Sequence, residues 1–209
     1  MSEGKFTWVD VQQNTDEWFN LRLGRITSSN FAKIMANEGK AFGEPAKEYA
    51  EKIALEFVTN KRDETANFSN SYMDRGHELE PVAIELYEIE TFNEVTNGGF
   101  NYLGNIGDSP DGNVGEGGCI EVKSVIPKTQ WKRLKKGGID LAYKYQIQGH
   151  IWLGQKVWCD FVSYCPEMPQ GKQLYIFRVD RDEEMIERMK SRIELFKKEV
   201  QANIKILQS

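Results

Sequence analysis

The sequence predicts an α/β fold organised as one domain over residues 1–209. Three observations carry that expectation. A chain of 209 residues that is 40% apolar and 11% aromatic can bury one sizeable core and has no need of a second. Several stretches place apolar residues at the three-to-four spacing of an amphipathic helix. Between them lie short β-branched and aromatic stretches of strand character.

In chain order, Trp18, Leu21 and Arg22 stand at helical spacing, Gly24 is suited to end that helix, and Thr27 or Ser28 to cap a next one from Ser29 to Met35. Ser29 would then lie at a helix N-terminus, where free N–H groups and the dipole favour a phosphate. Arg22 could offer the same group a charge-assisted partner. A plain cap and a surface arginine satisfy the same spacing. Asn37 to Glu44 reads as a polar loop, and Pro45 starts a helix to about Asn60 with Ala46, Tyr49, Ala50, Ile53, Ala54 and Phe57 on one face. A polar linker, Lys61 to Ser71, leads to a helix from about Tyr72 to Thr91, on which Gly76 and Glu80 share a face. Glu80 is either a third acid for a site or one more solvated glutamate beside Glu78, Glu85, Glu88 and Glu90. His77 reads as a helix-surface residue, since no second His or Cys stands at metal spacing.

Phe100 to Gly107 reads as the first strand of a central hairpin. Further on, Pro127 to Lys136 is a basic helix carrying Trp131 and ended by Gly137-Gly138. Leu141 to Leu153 is another helix, with Tyr143, Gln146, Ile147 and His150 within two turns. Gln146 could hydrogen-bond a metal-bound water or a phosphate, while Tyr143 and His150 are equally suited to packing or capping. Trp158 to Tyr164 and Leu174 to Val179 read as strands, and Asp180 with Glu183 as a capping box for the terminal helix. Its Ile186, Met189, Ile193, Phe196, Val200, Ile204 and Leu207 form a stripe for the core or a subunit contact.

The chemistry concentrates between Asp108 and Lys123. Ser109-Pro110-Asp111-Gly112 is turn chemistry and puts Asp111 at a bend. Nine residues separate Asp111 from Glu121, and Cys119-Ile120-Glu121-Val122-Lys123 alternates with period two, so that Ile120 and Val122 go inward while Cys119, Glu121 and Lys123 share the other face. Two acids of this kind suit Mg²⁺, which takes hard oxygen ligands and bridges to a substrate phosphate. A lysine beside them can orient water or stabilise developing negative charge. A hairpin with Glu121 and Lys123 in solvent fits the same pattern. An EF-hand loop does not, because Pro110 and Gly112 fall where ligands are needed.

Composition removes other classes. No run approaches the length of a membrane span, and Met-Ser-Glu-Gly-Lys-Phe is not a signal peptide, so a cytoplasmic protein is expected. Cys119, Cys159 and Cys165 lack Cys-x-x-Cys spacing, which argues against a disulfide framework, structural zinc or a four-cysteine cluster and leaves reduced thiols in or near strands. The net charge is −5, yet Lys123, Lys128, Lys132, Arg133, Lys135, Lys136 and Lys144 face only Asp140 within their stretch. A basic face on an acidic body attracts a phosphate backbone locally; a solvated helix face explains the run as well.

Five blocks in order, Leu21-Arg22-Leu23-Gly24-x-Ile26-Thr27-x-Ser29, Gly76-x-x-x-Glu80, Ser109-Pro110-Asp111-Gly112, Glu121-Val122-Lys123 and Tyr143-x-x-Gln146-x-Gln148, resemble the lambda exonuclease and YqaJ-like viral recombinase family of the PD-(D/E)XK nucleases. The resemblance implies a restriction-endonuclease-like core, a central mixed β-sheet flanked by α-helices. It also implies Mg²⁺-dependent 5′-to-3′ degradation of one strand of linear duplex DNA, with Mn²⁺ as a substitute metal, leaving 3′ single strands for phage-type recombination. By the same resemblance, Asp111, Glu121 and the Val122 backbone carbonyl are metal ligands, Lys123 is the catalytic lysine, Glu80 an additional acid and Gln146 the active-site glutamine. Arg22 and Ser29 match the binding site for the 5′-phosphate. A trimeric ring and a single-strand annealing partner protein are carried over with it, while His77 stands where relatives commonly have lysine. A structure-selective or repair endonuclease of the same superfamily is the alternative.

Overall fold

The computed structural model describes residues 4–62 and 71–209. The N-terminal part runs β1 (Thr7–Val9), α1 (Asp16–Arg22), β2 (Ile26–Thr27), a 3₁₀ turn over Ser28–Asn30, α2 (Phe31–Met35) and α3 (Glu44–Thr59). The middle runs α4 (Ser71–Thr91), β3 (Val95–Thr96), β4 (Phe100–Leu103), β5 (Ile106–Asp108), β6 (Gly112–Val114) and β7 (Gly118–Ser124). Then follow α5 (Pro127–Lys136), α6 (Leu141–Leu153), β8 (Trp158–Tyr164), β9 (Leu174–Asp180) and α7 (Glu183–Gln208). Most of the linker expected over Lys61 to Ser71 falls on residues 63–70, outside the described ones.

The strands form two mixed sheets. The larger has the order β3-β6-β7-β8-β9, with β7 and β8 parallel and the other neighbours antiparallel. The smaller has the order β1-β4-β5-β2, with β2 and β5 parallel. The expected single strand over Phe100 to Gly107 is therefore a hairpin, and it belongs to the smaller sheet. Gly104, at φ +59°, takes the left-handed backbone that lets Leu103 pair with Ile106 across the reversal.

Helices cover both faces of the larger sheet. α4 lays Ala83 and Tyr87 with Ile120, Val122 and Val162 on one face. On the other, Ile147 and Ile151 of α6 pack with Cys119, Cys159 and Phe161, over which α7 contributes Ile186, Met189, Ile193 and Phe196. The strand β7 is thus buried on both faces, and the alternation in its sequence sorts residues between two interiors rather than between core and water. This overturns the solvated hairpin, since Glu121 is 1% exposed.

Other local expectations shift by small steps. On α3 the stripe from Ala46 to Ala54 is buried as expected, but Phe57 is 60% exposed. Leu207, in the last turn of α7, is likewise exposed. The cap of α7 is Asp182, whose carboxylate accepts from the Met185 N–H at 2.9 Å; Asp180 is still the last residue of β9. The three cysteines are free, buried and in or beside β7 and β8.

Candidate active site

The chain passes from the smaller sheet to the larger through Ser109-Pro110-Asp111, between the end of β5 and the start of β6. Side chains from elsewhere pin that crossing. The Trp18 indole N–H donates to Ser109 Oγ at 2.6 Å, Ser109 donates in turn to the Gly99 carbonyl at 2.7 Å, and Gln13 donates to the Pro110 carbonyl at 3.0 Å. Asp111 is fixed from the strand side: its N–H donates to the Ile120 carbonyl, and its Oδ2 accepts from the Val122 N–H at 2.7 Å. The bend and the strand expected to meet do so through this bond.

Glu121 is the most enclosed acid of the group. Lys123 forms an ion pair with its Oε1, the Gln146 amide donates to the same oxygen at 2.7 Å, and His150 Nε2 lies 2.8 Å from Oε2. The opposite ring nitrogen of His150 lies 2.6 Å from Asp108 Oδ1, so one buried imidazole bridges two carboxylates from different sheets. Burial would favour the neutral ring, but Asp108 and Glu121 outweigh it and raise the His150 pKa well above the ordinary value. Burial likewise works against the Glu121 carboxylate, yet Lys123 and His150 hold its pKa down at about 2. Asp111 is less fully compensated: burial and the charge of Glu121 push it up to about 8 against the opposing pull of Lys123 and the Val122 N–H. Glu80 is also raised, first by burial and then by Glu121, with Lys123 opposing, which places it in the same electrostatic field.

A cleft of about 1480 Å³ joins these residues to the N-terminal block. Its walls carry Glu80, Asp111, Glu121, Lys123 and Gln146 together with Arg22 and Ser29. Every side chain expected at the site therefore borders one cavity. Ser29, however, sits in the 3₁₀ turn, and Thr27 makes no side-chain cap. The turn is held instead by Asn30, whose amide donates to Thr27 Oγ1 at 3.1 Å, and by Tyr49, whose hydroxyl accepts the Thr27 N–H at 2.8 Å. Gly149 on α6 lets the turn approach, since a Cβ there would come within 2.8 Å of Ser28 and Phe31. Arg22 stacks over the Trp18 ring at 4.2 Å, and burial lowers its pKa while Tyr49 and Asp108 oppose that shift. Of the two glutamines in the fifth block only Gln146 faces the cleft; Gln148 donates to the Asp180 carbonyl and accepts from the Asp182 N–H, tying α6 to the start of α7.

Among the described residues no three His, Cys, Asp or Glu side chains converge into a ready-made metal cage. The donor set nevertheless fits a hard divalent cation, because Asp111 and Glu121 are adjacent, desolvated oxygen donors whose mutual repulsion a cation relieves. Gln146 and Lys123 now satisfy the Glu121 oxygen that such an ion would share.

Residues 17–156 match the model of the YqaJ-like viral recombinase domain. The chain belongs to this family. Among solved structures, an alkaline exonuclease, LHK-Exo, from Laribacter hongkongensis superposes with a TM-score of 0.84 at 32% identity, covering 93% of this chain and 96% of that one. The same protein in complex with dAMP gives 0.84 at 33% identity with the same coverage. A phage-related exonuclease from Haemophilus somnus 129PT, 18% identical over 88% of this chain and 96% of its own, superposes at 0.70 and shares the fold. No curated protein matches the sequence. For this YqaJ-like chain, the α/β nuclease fold expected from the five blocks is the fold observed.

For His150 sequence reasoning offered packing or capping and missed the bridge it makes between Asp108 and Glu121. Its partners lie 42 and 29 residues away, on strands of different sheets, so no local spacing points to them. The one usable signal was its place on the helix that carries Gln146.

Proposed function

We propose that this YqaJ-family protein is a metal-dependent 5′-to-3′ exonuclease that removes one strand of linear duplex DNA and leaves 3′ single-stranded overhangs. The observation that carries the reading is the single cleft shared by Arg22 and Ser29 with Glu80, Asp111, Glu121, Lys123 and Gln146. Arg22 and the polar turn at Ser29 would hold the 5′-phosphate of a strand end, and holding it positions the adjoining phosphodiester at the acids, which is catalysis by placement. Family membership and the likeness to an alkaline exonuclease support exonuclease chemistry on DNA. The structure of that relative with dAMP fits a site that handles mononucleotides.

A divalent cation, Mg²⁺ with Mn²⁺ as substitute, would be held by Asp111, Glu121 and the Val122 carbonyl, and supplies polarisation of the phosphate and a more acidic water. The protein's own groups do the rest. Lys123 orients the attacking water or neutralises charge on the phosphoryl oxygens. Glu80, raised in pKa by burial, is suited to take a proton from that water. Gln146 releases Glu121 and hydrogen-bonds water or phosphate. A homotrimeric ring and an annealing partner protein are part of the proposal through the family resemblance, as is the placement of all these steps in one domain. No helix among the described residues is long and apolar enough to cross a membrane.

The test is degradation of linear duplex DNA labelled at one 5′ or one 3′ end, with Mg²⁺ or EDTA, beside a closed circular duplex. The proposal predicts Mg²⁺-dependent release of 5′-terminal mononucleotides with the circle intact, and loss of release in Lys123→Ala with an unchanged melting curve. Cutting of the circle would replace it with an endonuclease.

A further inference from the structure

The basic stretch of the sequence is not used by the cleft apart from Lys123. It forms α5, and the two sides of this helix differ sharply. Its inner side is bolted to the larger sheet: Gln130 donates to the Ser163 and Gln173 carbonyls at 3.2 and 3.0 Å, and accepts from Ser163 Oγ at 2.6 Å. Arg133 donates to Ser163 Oγ at 2.7 Å and covers the Phe161 ring, so it is spent on the interior. The outer side carries Lys128, Trp131, Lys132 and Lys135 at positions i, i+3, i+4 and i+7, one face of a helix, and all four are exposed. Trp131 leaves 61% of its surface in water.

A rigidly held helix with a bare indole framed by three lysines has no structural need for that arrangement. Lysines neutralise a phosphate backbone, and an exposed indole offers a face on which a base can stack. Duplex bases are already stacked on each other, so the indole selects an unpaired strand. Two residues separate the end of β7, the strand that carries Glu121 and Lys123, from the start of α5, so the chain leads directly from that strand into this helix. We propose that the outer face of α5 is a single-stranded DNA binding surface, with Trp131 stacking on a base and Lys128, Lys132 and Lys135 contacting the backbone. In the exonuclease reading, on which this choice of strand rests, it takes hold of the single strand exposed as its complement is removed.

The experiment uses a short, fluorescein-labelled closed circle of single-stranded DNA in EDTA, which offers no end and no cleavage. Wild-type protein is expected to bind it, and Trp131→Ala to bind it roughly tenfold more weakly, while Trp131→Tyr stays near wild type. Lys128→Ala, Lys132→Ala and Lys135→Ala together should flatten the slope of log affinity against log salt by about 2, at about 0.7 per phosphate contact. A relaxed, covalently closed circular duplex, which has neither ends nor unpaired bases, should show no dependence on Trp131. The proposal is overturned if binding of the single-stranded circle is indifferent to Trp131, or if the closed circular duplex responds to it equally. Because the binding assay needs neither ends nor metal, a failed cleavage assay would reject the exonuclease reading and leave this result standing.

Discussion

Asp111 and His150 show how single residues at this site are held against their intrinsic preferences. Asp111, with its pKa pushed up to about 8 by burial and by Glu121, binds a proton in the folded state that the unfolded chain has lost above about 4. Between those values the native state carries the extra proton, so stability of the metal-free protein must fall as pH rises, by at most about 1.4 kcal/mol per unit. His150 acts in the same direction: its raised pKa stabilises the fold below the ordinary histidine value and that contribution is lost as pH rises through the folded one. Melting temperatures of metal-free protein between pH 5 and pH 8 should therefore decline, and Asp111→Asn should flatten the decline, raise stability near pH 8 and abolish cleavage. A wild-type curve that rises over this range would contradict the electrostatics described. Removing His150 has a different signature. With Ala in its place Asp108 loses the partner of its buried carboxylate while Glu121 keeps only Lys123 and Gln146, and urea denaturation should show a loss of about 3–5 kcal/mol.

Elements bring these residues together by close approaches that side chains elsewhere could not tolerate. The turn at Ser28–Asn30 reaches α6 only because Gly149 lacks a Cβ. Gly149→Val should cost about 1–3 kcal/mol in urea denaturation and weaken duplex end binding more than it weakens folding, since it displaces the turn that carries Ser29; an unchanged denaturation midpoint would show that the contact yields freely. At this scale the sequence was informative where structure is local. The helices over Pro127–Lys136 and Leu141–Leu153 and the strand over Trp158–Tyr164 stand where their periodicity put them. It was less so where an element is too short for any period: β1 and β2 have three and two residues, and the second sheet they build could not be read. The cap of α7 moved from Asp180 to Asp182 because two aspartates offer the same signal and only the length of β9 decides between them.

At the scale of the molecule, the passage of the chain between two sheets builds the candidate site. Asp111 stands at the crossing, Glu121 and Lys123 on the adjacent strand, Glu80 and Gln146 on helices covering opposite faces, and Arg22 with Ser29 close the cleft from the N-terminal side. The acids and lysine were legible because a turn motif and a strand alternation are local features, and their order with the other blocks was legible through the family resemblance. The shared cleft was not, because it depends on how α1, α4 and α6 pack. It is also the central claim, since it couples recognition of a strand end to cleavage. The most direct measurement is single-turnover cleavage of the same linear duplex bearing either a 5′-phosphate or a 5′-hydroxyl, by wild type and by Arg22→Ala. Loss of a charge-assisted contact predicts that wild type prefers the phosphorylated end by roughly 10–100-fold and that Arg22→Ala erases the preference. Equal loss on both ends, or a preference that survives the substitution, would contradict the account.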